Sequence, residues 1–299
     1  MPRIVVSGVS LSDSQKARLE ALGEVEYYPS PASQDELIER AKGADVLYSN
    51  GVCLLDSLAK LKDIFVTYPY IELGVFDSEA LAKNGVTVAN AQGGNRPSII
   101  EWVMFMALEL FRKFTPLIRT GEDKPLELQE SLSGKRVLIV GQGSIGTKLA
   151  IPCQAFGLEV DFFARGDDLV AKAAGADLVI NALNCNSSSQ NLLDKDFFLA
   201  LKPGAYFISF VRRYTYDLDG LLESIEKGVV AGAAIDCDPE KFGDTKNDFY
   251  RKALSNPKVL VTPHVAWATK QAVGNGAEVA IQNIEAFLSG RPQNILRKI

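Results

Sequence analysis

The sequence predicts an α/β protein with two Rossmann-like domains, each built on a parallel sheet flanked by helices. Apolar runs of strand length alternate with amphipathic patterns of helix length, which is typical of a parallel sheet covered on both faces. This alternation stops at a charged segment, residues 119–134, and then begins again. The chain of 299 residues also lies at the upper limit of one core, which usually stops growing near ~250–300 residues.

The first series of elements begins at the amino terminus. Its predicted strands are RIVVSGV, ADVLYSN, DIFVTYP and VTVANA, and its predicted helices are DSQKARLEAL, QDELIERAK and DSEALAKNG. A long, strongly apolar helix, RPSIIEWVMFMALELFRKF, follows, with Pro97 suited to its first turn. The bulk of its side chains predicts burial against a domain or a second subunit.

The second series begins at KRVLIVGQGSIGTKLAIPCQAFG. Its further strands are LEVDFFARG, ADLVINALN, GAYFISFV, GVVAGAAID and KVLVTPHV. The last helix, KQAVGNGAEVAIQNIEAFLSG, ends at Gly290, with Pro292 beyond it. The second half therefore repeats the α/β pattern of the first.

Composition excludes several classes of partner. The formal charge of −5 and the pI near 5.2 argue against nucleic acid or an anionic membrane as the main partner. No run reaches the ~18 apolar residues of a membrane span, and the amino terminus reads as a strand rather than a signal peptide. The four cysteines are scattered and there is one histidine, so no metal site is expected, and the thiols indicate a reducing cytoplasm.

A glycine-rich turn predicts a dinucleotide site. Gly141, Gly143 and Gly146 form a GxGxxG pattern directly after a strand and at the start of a helix. The first glycine permits the tight turn, the second lets backbone approach a pyrophosphate, and the third allows close packing of helix on strand. The helix amino terminus then favours phosphate.

The end of the next strand indicates which dinucleotide is preferred. A carboxylate there would bind the ribose 2′-hydroxyl, whereas an arginine would accept a 2′-phosphate. Here the strand ends in Ala164-Arg165-Gly166, and Asp161 lies too early, within the strand. We therefore expect NADP to be preferred, with NAD possible; the alternative is an arginine in a solvated loop.

Several segments together resemble the D-isomer-specific 2-hydroxyacid dehydrogenases. The resemblance extends from about Val86 to the carboxyl terminus, and more loosely to the first half. It is carried by the glycine fingerprint and by NAQGGNRPSIIE, ADLVINALNCNSSSQNLLDKDFFLALKPGAYFIS, GVVAGAAIDCDPE and TPHVAWATKQA. With NIEAFLSGRPQNIL, these are most similar to the glycerate dehydrogenase branch, the glyoxylate/hydroxypyruvate reductases.

The resemblance implies the domain organisation. Residues 1–97 and 271–299 would form a flavodoxin-like substrate domain, and residues 98–270 the NAD(P)-binding domain. The active site would lie in a cleft between them, at the carboxyl ends of the strands. The family also implies a homodimer formed through the cofactor domain.

The resemblance further assigns the catalytic residues. The family pattern I-N-x-x-R-G corresponds to Ile208-Ser209-Phe210-Val211-Arg212-Arg213, so Arg212 would bind the substrate carboxylate. His264, the lone histidine, would be the acid/base group, because an imidazole titrates in the right range. Glu240 would orient it; since the order here is Pro–Glu rather than Glu–Pro, Asp238 or a solvated loop remain alternatives.

The remaining predicted contacts follow from the glycine turn, from the strand end at Arg165 and from the resemblance. Tyr70 and Ile71 would lie in the loop that binds substrate, although this loop lacks the family's glycines and contains Pro69. The segment after Arg165 has no room for the usual extra strand and helix. The predicted cofactor contacts are Gly141, Gly143, Ser144, Ile145, Gly146, Arg165, Asn184, Val211, Asp236 and Ala266.

These expectations define an NAD(P)-dependent reductase of a small 2-oxo acid, with glyoxylate or hydroxypyruvate as first substrates. The alternative is a dinucleotide-binding sensor or scaffold on the same fold, since the family includes a transcriptional corepressor branch. The altered loop at Tyr70 and the charge of Arg213 favour that alternative, whereas Arg212 and His264 oppose it.

Overall fold

The chain folds into two units, each built around one parallel sheet. The structure is a computed structural model that describes residues 1–71, 73–74, 76–115, 128–237 and 243–296. One unit comprises Met1–Asn95 with Thr269–Ile299, and the other comprises Arg96–Ala268. The expectation of an α/β protein with two parallel sheets flanked by helices is confirmed.

The first unit contains a five-stranded sheet in the order β2-β1-β3-β4-β5. Its strands are β1 (Arg3–Ser7), β2 (Glu24–Tyr28), β3 (Val46–Ser49), β4 (Ile64–Thr67) and β5 (Val86–Ala89). The helices between them are α1 (Asp13–Glu20), α2 (Gln34–Ala41), α3 (Leu54–Ser57) and α4 (Ser78–Lys83). Ser12 and Ser33 begin α1 and α2 with capping boxes, which satisfy the first backbone N–H groups of each helix.

Strand β2 was not among the strands that the sequence pattern predicted. It pairs with β1 along its whole length and lies at the edge of the sheet. Its sequence, EVEYY, leaves no residue fully buried. An edge strand with glutamates at alternate positions lacks the continuous apolar run by which the buried strands were identified.

The second unit contains a six-stranded sheet in the order β11-β10-β9-β8-β6-β7. Its strands are β6 (Arg136–Val140), β7 (Glu159–Phe163), β8 (Leu178–Asn181), β9 (Ala205–Ser209), β10 (Val230–Asp236) and β11 (Val259–Thr262). Its helices are α5 (Arg96–Arg112), α6 (Gly146–Ala155), α7 (Leu169–Ala173), α8 (Lys195–Leu199), α9 (Leu218–Glu226) and α10 (Asp248–Leu254). The chain then returns to the first unit as α11 (Lys270–Leu288).

The long apolar helix α5 is part of the core of the second unit. Val103, Ala107 and Phe111 are buried in one cluster with Val137, Leu149 and other side chains of the sheet and of α6. The Phe111 and Tyr206 rings lie 4.7 Å apart between centroids. Burial of side chains of this size stabilises a fold by roughly 1.5–3 kcal/mol each, which explains why a 17-residue helix can be so apolar.

The crossover from β7 to β8 is short. Only the five-residue α7 lies between these strands, and β7 forms the edge of the sheet. As the sequence predicted, no extra strand follows β7 before β8.

None of the helices in the described ranges combines the length and the apolarity needed to cross a lipid bilayer.

Candidate active site

The carboxyl ends of the strands in the second unit form one continuous edge. Neighbouring strand ends are aligned by the register, which pairs Val140 with Phe163 and Asn181, Asn181 with Ser209, and Asp236 with Thr262. The strand order reverses direction at β6, whose neighbours are β7 and β8. Ligands of open α/β sheets bind at such a point, outside the carboxyl ends of the strands.

The glycine turn fits a dinucleotide on steric grounds. Gly141 has φ +119°, and a Cβ there would lie 2.4 Å from the carbonyl oxygen of Ala182. A Cβ on Gly146 would lie 2.0 Å from the carbonyl oxygen of Gly141. Both glycines are therefore required by the turn and by the close packing of α6 on the sheet.

Gly143 is not required by the fold in this way. The nearest atom to a Cβ at this position is Nδ2 of Asn184, at 3.6 Å, which is an ordinary contact. Helix α6 begins at Gly146 without a side-chain cap, and the N–H groups of Thr147 and Lys148 already donate to the carbonyl oxygens of Gly143 and Ile145. The uncrowded backbone at Gly143 and the positive end of the α6 dipole suit a pyrophosphate.

The tip of β7 carries one exposed arginine and two carboxylates that are already paired. Lys172 Nζ lies 3.0 Å from Asp161 Oδ1 and 3.3 Å from Asp167 Oδ2. The backbone N–H of Ala164 also donates to Asp167 Oδ2. Hydrogen bonds from Ala164 and Lys172 lower the pKa of Asp167, whereas Arg165 is exposed in the turn and makes no ion pair within the described residues.

His264 lies just after β11 in a left-handed backbone conformation, with φ +61°. The carboxylate of Asp236, at the end of β10, holds this turn. Its Oδ1 accepts from Thr262 Oγ1 at 2.5 Å and from the Val265 N–H at 2.9 Å, and its Oδ2 accepts from the Ala266 N–H at 2.8 Å. His264 itself is half-buried.

Asp236 is a buried carboxylate. Burial raises its pKa, and the hydrogen bonds from Thr262, Ala266 and Val265 oppose that rise. A buried carboxylate is tolerated only when its oxygens are satisfied, and the turn that carries His264 provides three of the required donors. This positioning role was not predicted from the sequence, which assigned Asp236 and Ala266 only to cofactor contacts.

Arg212 follows β9 and its side chain is exposed. Its carbonyl oxygen accepts from the N–H and from Oγ1 of Thr215, at 3.1 and 3.0 Å. The neighbouring guanidinium of Arg213 is 6.0 Å from the centre of the Phe249 ring, a cation–π contact with α10. The extra charge of Arg213 is therefore directed to an aromatic ring of the same unit.

The predicted substrate loop lies in the first unit, after β4. The Ile71 carbonyl oxygen accepts from Tyr68 Oη at 3.2 Å and from Asn90 Nδ2 at 2.8 Å. The Tyr70 carbonyl accepts from the Ala91 N–H at 2.9 Å. These bonds fix the backbone of the loop, while Tyr70 as a residue remains 38% exposed.

The predicted residues therefore fall into three groups. Those of the second unit follow the ends of neighbouring strands along one edge, namely Gly141, Gly143, Ser144, Ile145, Gly146, Arg165, Asn184, Val211, Arg212, Asp236, His264 and Ala266. Tyr70 and Ile71 belong to the first unit. Glu240 and its alternative Asp238 lie outside the described residues.

Three polar residues beneath the Arg212 loop were missed. Asn181, Ser209 and Thr215 are fully buried. A polar residue at the end of an apolar run is the signal that could have identified Asn181 in LVIN and Ser209 in AYFIS. In the described ranges no group of three or more His, Cys, Asp or Glu side chains is placed to hold a metal ion.

Comparison with known proteins identifies the family of the chain. Residues 102–266, more than half of the chain, match the model of the D-isomer specific 2-hydroxyacid dehydrogenase NAD-binding domain. The chain is 27% identical to a glycerate dehydrogenase of Methylorubrum extorquens over 296 residues, which covers 91% of this chain and 92% of that protein. It is also 27% identical to D-3-phosphoglycerate dehydrogenase 1 of Saccharomyces cerevisiae, but spans only 61% of that protein's length.

Solved structures share the fold. The NAD-complexed form of a D-isomer specific 2-hydroxyacid dehydrogenase from Lactobacillus delbrueckii ssp. bulgaricus superposes with a TM-score of 0.81 at 18% identity, covering 99% of this chain and 100% of that chain. The glycine turn, the aligned carboxyl ends of the strands and the family match all indicate a dinucleotide-binding domain of this family. The chain therefore belongs to the D-isomer specific 2-hydroxyacid dehydrogenase family, and it is an oxidoreductase of the class that acts on 2-hydroxy acids.

Proposed function

We propose that the protein is an NAD(P)-dependent reductase of a small 2-oxo acid, with glyoxylate and hydroxypyruvate as the first candidates. The observation that carries this proposal is that Arg212 and His264 follow β9 and β11 on the edge that bears the glycine turn. The similarity to a glycerate dehydrogenase over most of both chains supports the choice of substrates.

The dinucleotide, when bound, supplies a hydride to C2 of the oxo acid. Arg212 binds the substrate carboxylate, because a planar guanidinium can donate two parallel hydrogen bonds to it. His264, as the imidazolium, donates a proton to the C2 oxygen, and in the reverse direction the neutral ring accepts that proton. Glu240, or Asp238 in its place, is proposed to orient His264.

The loop at Tyr70 and Ile71 is proposed to complete the substrate site, with the first unit as the substrate domain. The carbonyl oxygens of both residues are occupied by donors of the same unit. Pro69 offers no N–H, so this site presents fewer backbone donors than a glycine-rich loop would.

The preferred cofactor is proposed to be NADP. Gly141, Gly143, Ser144, Ile145 and Gly146 would hold the pyrophosphate. Arg165 would bind the 2′-phosphate, because both nearby carboxylates are paired with Lys172 and Arg165 is the exposed cation of the turn. Asn184, Val211, Asp236 and Ala266 would lie toward the nicotinamide. The cysteine pattern of the sequence supports a cytoplasmic location.

The decisive experiment is a screen of small 2-oxo acids with NADPH and with NADH. Turnover is measured as oxidation of the reduced cofactor. We expect turnover of at least one acid, and a fall of at least ~100-fold in kcat for His264→Gln, the usual effect of losing a general acid. Unchanged melting temperature and unchanged dinucleotide affinity are the controls for folding. Dinucleotide binding without turnover of any acid would instead identify a sensor, and a fully active His264→Gln would exclude the catalytic role of His264.

A further inference from the structure

A buried polar cluster lies under the strand edge that carries Arg212. It consists of Asn181, Ser209 and Thr215, each with no exposed surface. Asn181 Nδ2 donates to Ser209 Oγ at 3.3 Å and to Thr215 Oγ1 at 2.9 Å, and Asn181 Oδ1 accepts from the Leu183 N–H at 3.3 Å. The amide of Asn181 is thus the member that joins the other two.

The cluster controls the backbone of the Arg212 loop. Thr215 donates to the carbonyl oxygen of Arg212 from both its N–H and its Oγ1. Ser209 Oγ lies 3.4 Å from the carbonyl oxygen of Val211 and donates to it. Two consecutive carbonyl groups are therefore fixed, and with them the direction in which the exposed Arg212 side chain leaves the loop.

Packing alone does not explain these residues. The interior of a parallel sheet usually consists of apolar side chains, and apolar replacements of a buried hydrogen-bonded set can be neutral or even stabilising. Asn181 ends β8 after Leu178, Val179 and Ile180, all buried. Its amide is therefore better explained by what it holds in place than by its contribution to the core.

The family pattern supports this explanation. In I-N-x-x-R-G an asparagine stands where this chain has Ser209, three positions before Arg212. Asn181 is directly paired with Ser209 across β8 and β9. This chain therefore also has a side-chain amide at this point of the sheet edge. It belongs to Asn181 on β8, whereas in the family pattern it belongs to the residue that corresponds to Ser209 on β9.

We propose that Asn181 is a positioning residue for Arg212, and that its amide replaces the one that β9 lacks in this chain. Through Ser209 and Thr215 it holds the Arg212 loop in the geometry that binds the substrate carboxylate. This inference rests on the proposed role of Arg212, and it adds a residue of the adjacent strand to the substrate site.

The first test compares Asn181→Leu with the parent protein on the 2-oxo acid that the parent turns over best. We expect kcat/KM to fall by about tenfold, mainly through a higher KM, since the loss of buried hydrogen bonds loosens the loop. Dinucleotide affinity should stay within about twofold. Ser209→Asn added to Asn181→Leu should recover most of the loss. Ser224→Ala, which removes a buried hydroxyl of α9, is the control that should match the parent.

The second test is a double-mutant cycle with Arg212→Gln. If Asn181 acts through Arg212, Asn181→Leu should have little further effect in the Arg212→Gln background, because effects that share one interaction are not additive. Additive losses, or a parallel loss of dinucleotide affinity, would mean a general structural role and would overturn the inference. A parental KM for Asn181→Leu would overturn it as well.

A second variant keeps the test valid if Asn181→Leu does not fold. Thr215→Val keeps the shape and removes the Oγ1 bond to Arg212, so it should raise KM in the same way; if neither variant folds, the cluster is structural and the inference is wrong. Failure of the proposed function looks different: Arg212→Gln would then be as active as the parent protein.

Discussion

His264 combines an unusual backbone conformation with a fixed position. A non-glycine residue in the left-handed region costs about 1–2 kcal/mol, and φ at His264 is +61°. The three hydrogen bonds that Asp236 accepts from Thr262, Val265 and Ala266 surround this residue and offset that cost. The backbone position of His264 is therefore set by a carboxylate of the neighbouring strand.

Asp236→Asn tests this arrangement. The substituted amide would place an NH₂ group against one of the N–H donors of the turn, so that donor would lose its acceptor, at a cost of about 1–3 kcal/mol. We expect kcat in steady-state measurements to fall by roughly tenfold or more. An unchanged kcat, with or without a weaker affinity for the dinucleotide in binding measurements, would show that catalysis does not depend on the hold of Asp236 on the His264 turn.

Arg165→Ala tests the choice of cofactor. Removal of the guanidinium should weaken NADPH binding by about tenfold or more, which corresponds to a lost charge-assisted bond of about 1.5–3 kcal/mol, and should leave NADH almost unchanged. Titration of both reduced cofactors measures this. Arg251→Ala, which removes an exposed arginine on α10, is the matched control, and equal losses for NADPH and NADH would exclude the 2′-phosphate role.

Helix α11 and the proposed substrate loop at Tyr70 and Ile71 pack closely because of a glycine. A Cβ on Gly276 would lie 2.1 Å from the carbonyl oxygen of Pro69, so helix and loop touch through backbone. Asn275 Nδ2 also donates to the Gly94 carbonyl oxygen at 3.2 Å. The position of Tyr70 and Ile71 is therefore determined by how closely α11 approaches the end of β4.

Gly276→Ala should separate these two elements. Overpacking of this kind costs about 1–3 kcal/mol, and we expect a lower free energy of unfolding together with a several-fold higher KM for the 2-oxo acid. Denaturant titration and steady-state kinetics measure the two effects. Gly274→Ala is the matched control: its Cβ would meet nothing within 4 Å, so it should stabilise α11 by about 0.5–1 kcal/mol. A parental KM for Gly276→Ala would show that the loop does not depend on this contact.

At the scale of the whole molecule, we propose a homodimer formed through the cofactor domain. Phe105 on α5 and Ile151 on α6 are 60% and 61% exposed, and these two helices pack beside each other. Large apolar side chains on adjacent helices form the kind of patch that a second subunit covers.

Phe105→Asp should weaken the dimer, because it places a charge in an apolar interface. We expect the mass measured by light scattering at micromolar concentration to change from dimer to monomer. Leu254→Asp, at a residue of α10 that is 53% exposed, should leave the dimer intact. A monomeric parent protein, or a dimeric Phe105→Asp, would contradict this assignment.

Much of the fold could be predicted because its signals are local. The turn at Gly141 lies between an apolar run and a helix start, and the short segment after Arg165 leaves no room for another strand. Strand β2 could not be predicted, since an edge strand such as EVEYY carries no continuous apolar signal. The left-handed φ of His264 and the Asn181 cluster were also missed, because both depend on neighbours far away in sequence.

The sequence by itself determined the α/β class and the glycine turn, because strand periodicity and turn chemistry are properties of short segments. Arg212 and His264 became candidates through the resemblance of their motifs to those of the family. Only the tertiary structure decided that Asp236 holds the His264 turn, that Asn181 supports the Arg212 loop, and that the carboxylates beside Arg165 are paired with Lys172. These facts depend on the register between neighbouring strands and on contacts across loops, and a chain read in one dimension does not contain either.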